Sequence, residues 1–279
     1  MVNKTLVATV VVVLGVAAAL CIVATQSTDT QPSPRNPMSR PDATPQEALS
    51  AIGGQPPVTH GAVPGRKAAH YTQLSMLTPV PGDAVDVINS LTPAAKAGDM
   101  SAALAIYMKA NDCRLRTEEA QRRAPSSVPS ALTPTDCEGL APEDYTAAGK
   151  WLETAADAGN VDAQFLYAAS ADGVLGPPVD WLRYPEAVAR FKRKAMGLMN
   201  QHASQGSIDA LLYLSNAYEY GVLTDRDPVK ALAYYRAVEL SDTSAVSQRA
   251  LAYLQQNLSP TQLRNAEQQA RSIHANCCE

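Results

Sequence analysis

Residues 202–221 read HASQGSIDALLYLSNAYEYG. The stretch holds the pair His202-Ala203, then Gly206, then Ala210 four positions on, with Leu214, Tyr218 and Gly221 following at helical spacing. Glycine takes the left-handed conformation that stops a helix, and apolar residues at three- and four-residue steps start the next one. The same skeleton stands at Ala94-Ala95…Gly98…Ala102, at Ala155-Ala156…Gly159…Ala163 and, with serine for glycine, at Ala237-Val238…Ser241…Ala245. The marker positions lie 61, 47 and 35 residues apart, so the units carry unequal insertions. Self-similarity at this scale predicts an all-α chain, an α-α superhelix (solenoid) of stacked antiparallel helical hairpins. No segment keeps strand alternation for more than a few residues.

Working outward, helical spacing begins near Asp83 with Ala84, Val87, Ile88 and Leu91, and Gly98 separates this helix from a partner carrying Ala102, Ala103, Ile106 and Tyr107. An irregular insertion is expected over 111–140, which holds Pro125, Pro129 and Pro134. Helices are then expected at 142–159, from 163 to about 171 with a stop at Asp172-Gly173, at 185–205 and at 208–220. Asp227-Pro228 reads as N-cap and first helical residue, and 244–257 as a further helix. Ser259-Pro260-Thr261-Gln262 forms a capping box that opens a sparse, polar helix at 260–275, suited to the water-facing end of a stack. The folded domain is thus placed at 83–279.

Ahead of it, Lys4 precedes nineteen uncharged, mostly apolar residues at 6–24. That length approaches the roughly 20 residues of a spanning helix and exceeds the about 7–15 of a secretory signal, yet cleavage after Ala24 stays open. Residues 1–24 are read as a signal anchor or signal peptide. Charge on the leading side keeps that end cytoplasmic, so the expected location is a bacterial inner membrane with a periplasmic body, or the periplasm after cleavage. Residues 25–82 hold ten of the twenty prolines and no periodicity, and read as a disordered linker. Net charge is −4 and pI about 5.6, without the basic excess of a nucleic-acid binder.

Ala148-x-x-Trp151-x-x-x-Ala155-Ala156-x-x-Gly159-x-x-x-Ala163, together with Gly206-x-x-x-Ala210-x-x-x-Leu214-x-x-x-Tyr218-x-x-Gly221, resembles the Sel-one-like repeat (SLR) family, relatives of tetratricopeptide repeats. Asp227-Pro228-x-x-Ala231-x-x-Tyr234-Tyr235 opens a further unit in the same pattern, with tyrosine in place of the usual tryptophan. The resemblance covers roughly 94–256. It implies close helix contacts at the alanines, wedge-filling by Trp151 and Tyr218, and a generic protein-binding scaffold.

Cys113 and Cys137 flank the insertion and, in an oxidising compartment, are expected either to form a disulfide or to stay as free buried thiols. Cys277-Cys278 allow redox or metal chemistry or a frayed tail, and lack a metal-site spacer. His60, His70, His202 and His274 have no partner ligand at helical spacing; no metal, cofactor or catalytic group is expected, and the chain is not read as an enzyme. The basic run Arg183, Arg190, Lys192, Arg193 and Lys194 is either a solvated helix face or a surface for an acidic partner or lipid headgroups; Arg190, Arg193 and Lys194 are its binding candidates. Tyr213, Tyr220, Tyr234 and Tyr235 are the groove candidates, since tyrosine is favoured at interfaces.

The leading expectation is a membrane-tethered or exported scaffold that binds a protein or peptide, with the inner membrane its second contact. A cell-wall binding protein or hydrolase is the alternative.

Overall fold

The computed structural model describes residues 69–72, 78–123 and 133–278. The expected anchor or signal at 1–24 and most of the linker at 25–82 lie outside them. Among the described residues the chain is helical and has no strand. The helices are α1 (Ala84–Lys96), α2 (Met100–Arg123), α3 (Pro142–Asp157), α4 (Val161–Ala169), α5 (Ala171–Leu175), α6 (Pro178–Trp181), α7 (Pro185–Ser204), α8 (Ile208–Tyr220), α9 (Pro228–Ser241), α10 (Gln248–Gln255) and α11 (Pro260–Cys277). Neighbours pack in order: α1 on α2, α2 on α3, α3 on α4, α4 on α7, α7 on α8 and α8 on α9. The long α11 closes over α9 and reaches α7.

Three turns share one construction. Gly98, Gly159 and Gly206 have φ of 98°, 88° and 96°, the left-handed region that only glycine enters at little cost. The N–H of the following residue (Asp99, Asn160 or Ser207) donates back to the carbonyl of Ala94, Ala155 or His202 at 3.0–3.1 Å, closing the last helical turn. That same residue then caps the next helix, its side-chain oxygen accepting from the N–H of Ala102, Ala163 or Ala210 at 3.1, 2.9 and 3.2 Å. The sequence skeleton therefore marks a helix end, a left-handed glycine, a shared cap and the third residue of the next helix. Ala102, Ala155, Ala156, Ala163 and Ala210 are all buried, which lets the two helices approach closely.

The fourth copy departs from this pattern. A serine in the left-handed region costs about 1–2 kcal/mol. Ser241 instead remains the last residue of α9, and Asp242 continues as extended backbone. The chain passes through one 3₁₀ turn, Thr243–Ala245, before α10 starts at Gln248 behind the Ser247 cap. The helix expected over 244–257 is shortened accordingly.

Other boundaries move too. At residue 111, where the insertion is expected to begin, α2 instead continues as a polar helix to Arg123. Pairs one turn apart knit its surface: Arg114–Glu118 at 2.7 Å, Arg116–Asp112 at 3.3 Å and Arg123–Glu119 at 2.6 Å. The described end of the insertion holds a 3₁₀ turn, Thr135–Cys137, fastened to α2 by the Cys113–Cys137 disulfide. Asp136 lies between Lys109 (3.1 Å) and Arg116 (2.7 Å), and the two cations hold its carboxyl well below the usual carboxylate range. Gly173, expected as a stop, sits inside α5; the left-handed glycine there is Gly176, φ 78°.

Ordered contact also starts earlier than residue 83. Val80 is buried in the core beside Val87 and Leu91. Residues 69–72 lie along the third turn, where His70 pairs with Ser207 as a single parallel bridge. At the other end, Asp227 and the Ser259–Gln262 capping box take their expected places. The carboxyl end is not frayed: α11 runs to Cys277, which is buried against the core and joined to Cys278 by a disulfide.

Candidate functional site

A cleft of about 570 Å³ lies between α2, α3 and the α5–α6 connection. Residues Tyr107, Asn111, Arg114 and Glu118 recur at helical steps, so one face of α2 forms its wall. Pro142 and Tyr145 come from the start of α3, and Gly176, Pro177 and Pro178 form the opposite rim.

The floor depends on two glycines. A Cβ on Gly149 would meet the Gly173 carbonyl oxygen at 2.3 Å, and one on Gly173 would meet Tyr107 Oη at 2.5 Å. The backbones of α3 and α5 thus touch directly, with the Tyr107 ring packed against them. Burial pushes the Tyr107 hydroxyl pKa up, opposed by the Ser170 hydroxyl and the Arg114 charge. Burial likewise raises that of Tyr145.

Arg114 is fixed in place. Its guanidinium donates to Glu118 Oε1 at 2.7 Å and Asn111 Oδ1 at 2.9 Å, and pairs with Asp172 Oδ2 at 2.9 Å across the cleft. The group can offer a rigid, charge-assisted donor against an apolar wall of tyrosine and proline. A smaller concavity of about 170 Å³ lies between Tyr167, Trp181, Tyr184, Arg190 and Phe191.

The residues favoured by sequence do not converge on the cleft. The Tyr213 hydroxyl donates to the Ala168 carbonyl and is half-buried between hairpins. Tyr234 stacks on Tyr218, ring centroids 5.7 Å apart, and donates to Asn200 Oδ1 at 3.2 Å. Tyr235 Oη accepts from the Ser247 N–H at 2.8 Å, holding the α9–α10 connection. Of the four, Tyr220 alone is exposed. Lys194 is taken up by Glu153 (3.2 Å), Asp157 (2.6 Å) and the face of Tyr167, whereas Arg190 and Arg193 are exposed. The repeat residues Leu214 and Ala231 are wholly buried, Trp151 and Tyr218 half-buried, and Gly221 ends α8 in the left-handed region at φ 69°. His202 is buried, its Nε2 2.7 Å from Gln164 Oε1, and Gln164 Nε2 donates on to the Ala156 carbonyl at 3.0 Å. This polar link ties the second hairpin to the third.

Tyr107, Arg114 and Tyr145 were not legible as a site. Their one sequence signal is the run of charge pairs that keeps α2 helical past residue 111. Among the described residues no group of three or more His, Cys, Asp or Glu is placed to hold a metal ion, and no helix is long and apolar enough to cross a membrane.

Among the described residues, fold and turns together define an all-helical stack of repeated hairpins. No family model and no curated protein matches the chain. Among solved structures it is similar to c5321, a protective antigen of uropathogenic Escherichia coli strains described as displaying an SLR fold. Identity is 20% over 68% of this chain, with a TM-score of 0.42. The chain spans 32% of that protein's length.

Proposed function

We propose that the protein is a non-catalytic interaction scaffold of the bacterial envelope, membrane-tethered or exported, which binds a protein or peptide partner in a groove of its helical-hairpin stack. The observation that carries this reading is the cleft between α2, α3 and α5–α6. Its volume, about 570 Å³, falls in the range of roughly 300–1,000 Å³ usual for small-molecule pockets, room enough to seat a few side chains of a partner. Tyrosine and proline supply contact area at low entropic cost, and Arg114 is held ready by three partners. Nothing in the wall pairs a nucleophile with a base. The envelope location draws on the apolar run at 6–24 and on two disulfides, which persist in oxidising compartments.

The test is photocrosslinking in the cells that make the protein, with a benzophenone amino acid in place of Tyr145. A discrete protein adduct that weakens when Arg114→Ala is added supports the reading. Adducts from position 193 with none from 145 would move the site to the basic face of α7. Saturable binding of muropeptides to the purified chain, without any protein adduct, would favour the cell-wall alternative.

A further inference from the structure

Residues 69–72 show how this fold holds an extended polypeptide. The His70 N–H donates to the Gly206 carbonyl at 3.0 Å, and the Ile208 N–H donates to the His70 carbonyl at 2.9 Å. Two residues on, the Thr72 N–H donates to the Asp209 carboxylate, and Thr72 Oγ1 lies 3.4 Å from Ser207 Oγ. The groups used are the carbonyl of the left-handed glycine, the first N–H of α8, which no helix can satisfy internally, and a carboxylate at the next position. Ile208 itself is 2% exposed, its side chain part of the main core.

The second turn repeats every one of these groups. Gly159, Asn160, Val161 and Asp162 stand where Gly206, Ser207, Ile208 and Asp209 stand in the third, with the same cap and the same glycine conformation. Here the groups are open. Among the described residues neither the Gly159 carbonyl nor the Val161 N–H has a backbone partner, and Asp162 has no hydrogen bond or ion pair. Val161 is 46% exposed, in contrast to the buried Ile208. Burial without a partner raises the Asp162 carboxyl pKa, a condition that an incoming N–H donor would relieve. The first turn lacks the carboxylate, having Ser101 in that place.

The geometry points to the turn at 159–162 as a second docking place, one that takes an extended segment of a partner polypeptide in the manner of 69–72. The partner contributes one non-proline residue that pairs by both its N–H and its carbonyl, and a further free N–H two residues later. A second copy of this chain is the poorer source, because its own 69–72 segment is already paired within the molecule. This inference extends the polypeptide-binding reading to another face and does not need the cleft.

The test is a fluorescence-anisotropy titration of the full chain with a labelled peptide of sequence AHYTQ, residues 69–73. Saturable binding is expected. Val161→Pro removes the donor at a helix position that tolerates proline, and Asn160 already has the extended backbone required before it (φ −65°, ψ 115°). This variant and Asp162→Asn should each weaken binding about tenfold, with an unchanged melting temperature. No saturation at millimolar peptide would overturn the proposal, and so would binding that neither variant weakens, which would put the peptide at the third turn or in the cleft. Failure of crosslinking at Tyr145 leaves this titration unaffected, so the two proposals fail separately.

Discussion

Two glycines on exposed and buried helix faces should respond to the same substitution with opposite signs. At Gly149 a methyl group would enter the Gly173 backbone, which has no flexible end to move aside. Gly149→Ala is expected to destabilise the protein by about 2 kcal/mol or more. At Gly197 in α7 an added Cβ meets nothing within 4 Å, so Gly197→Ala should stabilise by about 0.5–1 kcal/mol through helix propensity. Urea denaturation of both variants checks the pair. His202 gives a pH signature at the same scale. Burial, and then the charge of His70, hold its pKa below the ordinary 6.5. Above that pH the residue is neutral in both folded and unfolded chains. As pH falls through 6.5 the unfolded chain gains a proton that the folded one resists, so stability declines on the acid side. Denaturation midpoints between pH 7.5 and 5.5 should show the decline, and His202→Gln should flatten it.

At the scale of elements, α2 and its attached 3₁₀ turn form a clamp made of one disulfide and a shared carboxylate. The Cys113–Cys137 bridge closes 24 positions of sequence, a constraint on the unfolded chain worth about 3 kcal/mol. Replacing both cysteines by serine should lower stability by about that amount, read as a shift in the denaturation midpoint. Asp136→Asn leaves Lys109, which is almost wholly buried, without its anion, and should cost about 1–3 kcal/mol; partial exposure of the carboxylate keeps the figure below that of a fully buried pair. Legibility also varied by element. Helices with strong start signals, α9 behind Asp227-Pro228 and α11 behind its capping box, begin at the residues read from sequence. The second half of α2 was not, because its cohesion comes from charge pairs on its surface and its apolar periodicity fades. The short α5 and α6 were hidden for a different reason: Gly173 and the prolines look like breakers, and only the contact with Gly149 and Tyr107 shows them to be packing residues. The hydroxyls of Tyr213, Tyr234 and Tyr235 are engaged within the helical stack while Tyr220 is exposed, a division that residue type and spacing do not reveal.

For the whole molecule, the closing helix is the element on which the last hairpin depends. Ala266 and Ala270 of α11 are wholly buried, and Leu232, Leu251 and Leu254 share a core cluster with Ala266. Ending the chain after Leu258 strips this cover from α9. Terminal units of a stack need a polar outer face, so the shortened protein is expected to expose α9 and α10 to limited proteolysis while α1–α4 stay protected. Mass analysis of the fragments would show whether protection stops near residue 200 or is lost throughout; the latter would mean that the hairpins melt as one unit.

A residue that ends one helix and begins the next leaves the hairpin bend no spare length. One residue inserted between Gly159 and Ala163 would swing everything in α4 by about 100° around its axis and carry the face holding Ala163 and Tyr167 out of the interior. Outside the bends, in the stretches joining one hairpin to the next, added length is absorbed without turning any helix. The uneven spacing of the glycine markers is thus the trace of a chain free to grow between its hairpins and barred from growing within its three glycine bends, the serine bend after α9 being the one that has lengthened.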